Sequence, residues 1–331
     1  SKKNNKRDNM KSVFITGVAG FIGYNLSEFL IKKNFKVYGI DNFDDYYSIK
    51  IKKKRINQLK KKNNFFFKKV DIINKKKLHN FLYKKKIDLV IHLAAQAGVR
   101  YSLVNPQKYI DVNIFGFLNV IEATKKKKIK NFIYASSSSV YGDSKKFPLK
   151  ENESLNPKNI YGLSKKLNEE IANTYSKQFK MNCTGLRFFT IYGEWGRPDM
   201  FMFKLFKAYK NKQPFYLNNF GNHKRDFTYI GDAVNAVYNL IKKQIKNSNV
   251  INICSNKPIK IHDIVKFFSK KKNVKVKLTK MHKADVKDTH GDNRKLKKSI
   301  KTFNISDFYK CFDRTYKWYI KNNIQDINDE S

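Results

Sequence analysis

The run "VFITGVAGFIG", residues 13 to 23, constrains the fold more than any other stretch of the chain. Gly17, Gly20 and Gly23 follow a short apolar, β-branched run and stand at the mouth of a helix-like segment. Glycine at these places permits a tight turn, close approach of a pyrophosphate to the backbone, and close packing of helix on strand. The helix N-terminus adds N–H groups without helical partners and the positive end of a dipole.

The pattern continues downstream. Candidate strands at 12–16, 35–40, 64–70, 88–93, 131–136 and 182–189 alternate with candidate helices near 21–33, 47–62, 75–84, 106–126 and 160–179. That alternation predicts an α/β protein with a doubly wound parallel sheet. After about 190 it breaks down, which predicts a smaller C-terminal substrate lobe; there 225–241 reads as a turn into a helix and 248–254 as a strand. The expected division is a dinucleotide-binding domain over 11–186, with 225–255 returning to it, and a lobe built from 187–224 and 256–325. Residues 1–10 and the polar C-terminal end read as loose tails.

Asp41 ends the second candidate strand 18 residues after Gly23. A carboxylate there accepts hydrogen bonds from the adenosine ribose and repels a 2′-phosphate, so NAD is expected rather than NADP. Asp71 follows the third strand, where it could meet the adenine or cap the next helix.

Charge raises a different function class. The formal net charge of +43 invites a nucleic-acid reading. Against it, lysine triplets are spread over the whole chain and there are only eight arginines, the residue that bidentate base and phosphate recognition favours. Compositional drift toward Lys, Asn, Ile and Phe explains the charge, and a positive field would still draw in an anionic substrate. Cys183, Cys254 and Cys311 lie far apart and lack the spacing of a zinc or redox site, so no metal is expected. No apolar run reaches the roughly 18 residues a membrane span needs, and the charged start lacks a signal-peptide core; the expectation is a cytoplasmic enzyme.

Tyr161 and Lys165 stand at i and i+4, on one face of a helix. A phenol with an ordinary pKa of about 10 is a poor base at neutral pH, but a neighbouring ammonium and a cationic nicotinamide ring favour its ionised form. Tyr161 is therefore the expected general base, with Lys165 its partner. The run "YASSSSVYG", 134–142, ends the fifth strand, where open α/β sheets bind their ligands.

The G-x-x-G-x-x-G spacing, together with "HLAAQAGVR", "VNIFGFLNV" and "YGLSK", resembles the extended short-chain dehydrogenases/reductases. The resemblance implies cofactor contacts from Phe21, Ile22, Asn42, Ile72, Leu93, Ala94, Ala95 and Asn113 beside Gly17, Gly20, Gly23, Asp41, Asp71, Tyr161 and Lys165. It also places at Ser137 the hydroxyl that bridges substrate and tyrosine.

Within that branch the 4,6-dehydratases carry an acidic pair after the bridging residue, and the UDP-glucuronate decarboxylases a glutamate; this chain has Ser138 and Ser139. Longer strings, "DNFDDYYSIKIKKKRINQL", "LAAQAGVRYSLVNPQKYIDVN", "TGLRFFTIYGEWGRPDM" and "KRDFTYIGD", are similar to the UDP-glucuronate 4-epimerases over roughly residues 11 to 300. That resemblance implies that UDP-glucuronic acid is the substrate, that Ser137, Ser138, Ser139 and Thr190 hold the sugar carboxylate, and that Arg197 lines the same site. It sets Arg225 at the UDP diphosphate, Arg100 near it as a weaker candidate, Asp285 on the uridine side, and makes a homodimer the expected assembly. For Arg197 and Arg225 a structural salt bridge is the plainer alternative. Glu194 departs from the proline usual in this motif, and a solvent-facing side chain is the plain explanation. An epimerase of neutral UDP-sugars, a decarboxylase or dehydratase on the same fold, and a basic nucleic-acid-binding protein stand as rivals.

Overall fold

The computed structural model describes residues 11–324, so the expected N-terminal tail and residues 325–331 lie outside the described residues. Six strands alternate with helices: β1 (Ser12–Thr16), β2 (Lys36–Asp41), β3 (Phe65–Lys69), β4 (Leu89–His92), β5 (Asn131–Ser137) and β6 (Asn182–Phe188). Beyond them come β7 (Thr190–Tyr192), β8 (Phe215–Asn218), β9 (Lys224–Tyr229), β10 (Ser248–Ile253), β11 (Pro258–Lys260) and β12 (Val276–Thr279). The helices are α1 (Phe21–Lys32), α2 (Ile49–Lys60), α3 (Lys75–Tyr83), α4 (Pro106–Tyr109), α5 (Phe117–Lys126), α6 (Ile160–Phe179), α7 (Phe201–Lys210), α8 (Ile230–Lys243), α9 (Ile261–Lys271), α10 (Arg294–Ser299) and α11 (Phe308–Lys321).

The main sheet has seven parallel strands in the order β10-β6-β5-β4-β1-β2-β3. The order reverses between β1 and β4, and at such a switch point the loops after the strands diverge and leave a crevice at their carboxyl ends. Central strands covered on both faces read as continuous apolar runs; every residue of β1 and β4 is buried. The edge strand β3 reads differently, with Lys68 and Lys69 exposed.

The late strand β10 joins the main sheet beside β6, with Ile251 opposite Leu186. The remaining strands form a three-stranded sheet, β11-β9-β7, and a two-stranded one, β12-β8. The long helical stretch expected over 106–126 is three pieces: α4, a π-helical segment over 110–116, and α5. The wide turn brings Asn113 onto the loop after β4, where its amide accepts from the Gln96 backbone N–H at 2.8 Å and donates to the Gln96 carbonyl at 3.0 Å.

Candidate active site

The glycine turn is built as tightly as the sequence suggests. Gly17 has φ +77°, and a Cβ there would lie 2.7 Å from the Ala94 nitrogen; one on Gly23 would lie 2.1 Å from the Gly17 carbonyl oxygen. No side chain caps α1 at its N-terminus. Its first N–H groups have no helical acceptor and face the cleft as anion donors. Asp41 at the end of β2 accepts from Ala19 N–H at 3.0 Å and Phe43 N–H at 2.8 Å, and burial nevertheless pushes its carboxyl up.

A cleft opens at this switch point. Its wall includes Gly17, Gly20, Phe21, Ile22, Gly23, Asp41, Asn42 and Ile72 at one end, and Leu93, Ala94 and Ala95 after β4. Ser137, Tyr161, Lys165 and Arg197 line the other end. A cradle that any side chain at Gly17 or Gly23 would fill, an uncapped helix start and a ribose-side carboxylate together fit NAD.

Two expected cofactor residues act one step back. Asp71 accepts from Asn42 Nδ2 at 2.9 Å and thereby holds a residue of the wall. It does not cap α3: Asn74 does, accepting from Lys77 N–H at 3.0 Å, because Asp71 stands too early and uses its other oxygen on Ile73 N–H. Asn113 is buried behind the wall, where it fixes Gln96 and donates to Ser164 Oγ at 3.0 Å.

The reacting end depends on how α6 begins. Asn159 caps it by accepting from Gly162 N–H at 2.9 Å, so Tyr161 and Lys165 fall in the first two turns. Gly162 lets the helix approach the serine turn; a Cβ there would be 2.5 Å from the Ser139 carbonyl oxygen. Ser137 lies close enough to the Tyr161 phenol to pull its pKa down, while its own hydroxyl donates to Ser139 Oγ at 3.1 Å. Lys165 Nζ donates to the Ala135 carbonyl at 2.9 Å.

Electrostatically the pair is poised for ligands. Burial pushes the Tyr161 phenol up, while Ser137 and the Arg197 guanidinium pull it back. Burial pushes Lys165 down to about 8. In the protein by itself the Tyr161 phenol stays protonated while Lys165 keeps its ammonium at neutral pH, so a phenolate needs further cationic help from what binds in the cleft. Nearby His92 is held neutral, its pKa pushed down to about 3 by burial and by Lys165.

The serines separate into distinct roles. Ser136 turns inward and donates to Glu169 Oε1 at 2.5 Å. Glu169 in turn receives a bidentate pair from Arg187, at 2.9 and 2.7 Å, all of it buried. Ser137 faces the cleft and accepts from Ser139 N–H at 3.1 Å, closing a short 3-10 turn over 138–140. Among the described residues the cleft wall includes Ser137 but not Ser138, Ser139 or Thr190; these are half-buried beside it, Thr190 at the start of β7.

The charged candidates on the substrate side are already engaged. Arg197 binds Asp199 at 2.9 and 2.5 Å, and Tyr46 donates to the same carboxylate at 3.2 Å. The plainer expectation of an ion pair thus holds for Arg197, which still lines the cleft. For Arg225 it does not: its guanidinium donates to the carbonyls of Lys224, Val286 and Lys287. Arg100 reaches Asp285 at 2.8 Å, close to that same loop. Glu194 is not solvent-facing, since it accepts from Arg314 at 2.6 Å and Tyr229 at 2.7 Å and joins α11 to β9.

Sequence reading passed over Tyr46, Tyr47, Gln96, Asp199, Glu169 and Arg55. For Tyr46 and Tyr47 a signal existed, an aromatic pair just past the ribose carboxylate; for Asp199, its place two residues after Arg197.

The fold and the site define an NAD-dependent enzyme with a tyrosine–lysine pair at the carboxyl ends of a doubly wound sheet. Residues 13–254 match the profile of the NAD dependent epimerase/dehydratase family, and the chain belongs to that family. It is 38% identical over 329 residues to Protein CapI of Staphylococcus aureus, covering 93% of this chain and 98% of that one. It is 38% identical over 317 residues to UDP-glucuronate 4-epimerase of Thermodesulfobacterium geofontis, covering 94% and 96%. Among solved structures, UDP-glucuronic acid 4-epimerase from Bacillus cereus in complex with UDP-glucuronic acid and NAD superposes with a TM-score of 0.88 at 32% identity, covering 94% of this chain and 99% of that one.

Proposed function

We propose that the chain interconverts UDP-glucuronic acid and UDP-galacturonic acid by epimerisation at C4, with Tyr161 as the base. The observation that carries this reading is the serine turn: Ser137 lines the cleft together with Tyr161 and Lys165, and the next two positions are hydroxyls rather than acids. Tyr161 takes the proton of the C4 hydroxyl, and Ser137 bridges the two oxygens. Lys165, anchored to the Ala135 carbonyl, keeps the phenol's surroundings positive. Bound along Gly17, Gly20, Phe21, Ile22, Gly23 and Asp41, NAD supplies reversible hydride exchange at C4 and is not consumed.

A 4-keto uronate is a β-keto acid and loses carbon dioxide readily. Hydroxyls from Ser137, Ser138, Ser139 and Thr190 around the carboxylate would keep its C–C bond out of the reactive alignment. A glutamate in place of Ser138 would repel it. On this reading Arg197 draws the carboxylate inward, while Arg225, Arg100 and Asp285 serve the diphosphate and uridine end; the similarity to UDP-glucuronate 4-epimerases from Thermodesulfobacterium and Bacillus supports the substrate class.

The division into a cofactor domain and a substrate lobe follows the same reading, as does a cytoplasmic homodimer with no nucleic-acid partner. Among the described residues no helix is long and apolar enough to cross a membrane. Phe115, Leu118, Leu163 and Leu167, on and beside α5 and α6, are exposed apolar side chains that a second copy would cover. Sedimentation velocity tests the dimer.

Incubation of the purified protein with UDP-glucuronic acid and catalytic NAD, followed by NMR of the anomeric and H4 protons, tests the activity. A stable mixture with UDP-galacturonic acid is expected. A UDP-pentose with carbon dioxide would replace this reading by the decarboxylase, and turnover confined to UDP-glucose or its N-acetyl analogue by the neutral-sugar epimerase.

A further inference from the structure

One strongly basic group lies beneath the cleft and takes no part in the chemistry above. Arg55, on α2, is fully buried. Its guanidinium donates on one arm to the Ala19 carbonyl at 2.7 Å and the Tyr47 hydroxyl at 2.8 Å. The other arm donates to the carbonyls of Trp195 at 2.6 Å and Gly196 at 3.1 Å. Ala19 sits inside the glycine turn, between Gly17 and Gly20, whereas Trp195 and Gly196 immediately precede Arg197. A single planar fork therefore joins the backbone that cradles the cofactor diphosphate to the backbone that carries the substrate-side arginine.

Two features set this apart from ordinary core packing. All four hydrogen bonds go to neutral oxygens, and Nε has no partner, so the charge is not cancelled where it is buried. An unpaired buried charge is strongly disfavoured unless something nearby gains from it. Its field reaches Asp41, whose carboxyl it pulls down, and an anion at the glycine turn would gain in the same way. Second, the geometry is a fork that only arginine supplies; a lysine keeps the charge but cannot hold two separated pairs of oxygens, Ala19 with Tyr47 and Trp195 with Gly196, from one planar group.

We infer that Arg55 is a positioning residue that couples the two halves of the site: seating the cofactor diphosphate on the glycine turn sets the 195–197 segment, and with it Arg197, for the sugar nucleotide. The substrate half of this inference rests on the role proposed above for Arg197; the cofactor half does not.

The test uses ADP-ribose, which carries the adenosine and diphosphate but no nicotinamide, on protein freed of NAD. By calorimetry, saturating UDP-glucuronic acid is expected to tighten ADP-ribose binding by roughly 5-fold or more, the usual range of coupling between sites. In Arg55→Lys the coupling should fall toward 1 while ADP-ribose still binds; in Arg55→Met both coupling and affinity should fall. Equal coupling in wild type and Arg55→Lys overturns the inference. Should both variants fail to fold, hydrogen exchange on the wild-type protein decides: ADP-ribose by itself should slow exchange of the amides at 195–197, and unchanged rates there overturn the coupling. If UDP-glucuronic acid does not bind at all, the substrate assignment fails while the exchange measurement still judges Arg55.

Discussion

On the sheet side of the cleft, the groups nearest the reacting carbon stand on regular elements whose undersides are locked. Ser137 ends β5, Tyr161 and Lys165 open α6, and behind them Ser136, Glu169, Arg187 and Tyr141 form one buried network, Arg187 donating to the Tyr141 hydroxyl at 2.9 Å. On the lobe side Arg197, Arg100 and Asp285 stand on loops and Arg225 on β9, and all are already engaged: Arg197 with Asp199, Arg100 with Asp285, Arg225 with the carbonyls of 286 and 287. The sheet side thus holds its geometry before any ligand arrives. Under the proposed function the lobe side exchanges partners when a sugar nucleotide binds, since the nucleotide must compete for cations already engaged. On that proposal preorganisation belongs to the wall assigned the proton chemistry, and adaptability to the wall assigned nucleotide recognition.

The largest effect should come from the locked wall. Tyr161→Phe removes the proposed base and is expected to lower kcat by about 10²- to 10⁴-fold, the usual worth of a positioned acid–base group. NAD binding and far-UV circular dichroism should survive. A variant that keeps more than a tenth of wild-type turnover by the NMR assay would move the base elsewhere and dissolve the contrast between the walls.

Stability should respond on the same side. Glu169→Gln leaves Arg187 buried without its partner charge, and breaking such a pair costs about 3–5 kcal/mol. Urea unfolding reads this directly. Because Ser136 and Arg187 share Glu169, the loss should also loosen the serine turn, and kcat should fall with stability. A loss below about 1 kcal/mol would mean that the wall is not locked by this network.

Ser137→Ala separates the two functions of one residue. Ser137 pulls the Tyr161 pKa down, so its removal lets that pKa rise. Activity that needs the phenolate is lost as pH falls through the pKa, so the acid limb of kcat/KM should move to higher pH. Arg197→Lys keeps a cation near the phenol and should move the limb less. A limb that stays in place in Ser137→Ala would detach the serine from the tyrosine.

The sheet side was legible in the sequence because its signals are local. A glycine turn must follow a strand and open a helix, and Tyr161 and Lys165 share a face only at helical spacing, so position along the chain carried the chemistry. β10 was also legible, as a short run with Val250, Ile251 and Ile253, although its partner β6 lies some 65 residues earlier. The inner network was not. Nothing local to "YASSSSVYG" says that the first serine turns toward Glu169 and the second toward Tyr161; that is decided by the alternation of β5 against an α6 whose approach depends on Gly162. The break in the 106–126 helix escaped notice because a π-helical turn has no compositional mark. Glu194 looked like a surface substitution because its partners, Tyr229 and Arg314, are 35 and 120 residues away.

The smallest effect should come from the lobe. The Arg100–Asp285 pair is partly exposed, with Arg100 at 44% and Asp285 at 22%. Pairs of this kind contribute about 0–1 kcal/mol and are screened by salt. Asp285→Asn should therefore leave urea stability nearly unchanged. It should still alter recognition, because freeing Arg100 and loosening the loop that holds Arg225 changes what the nucleotide has to displace. The expected signature is a KM for UDP-glucuronic acid that shifts with ionic strength differently from wild type, at constant kcat. If Asp285→Asn instead lowers kcat and leaves KM alone, the loop acts on the chemistry, and the division between a rigid catalytic wall and an exchanging recognition wall has to be redrawn.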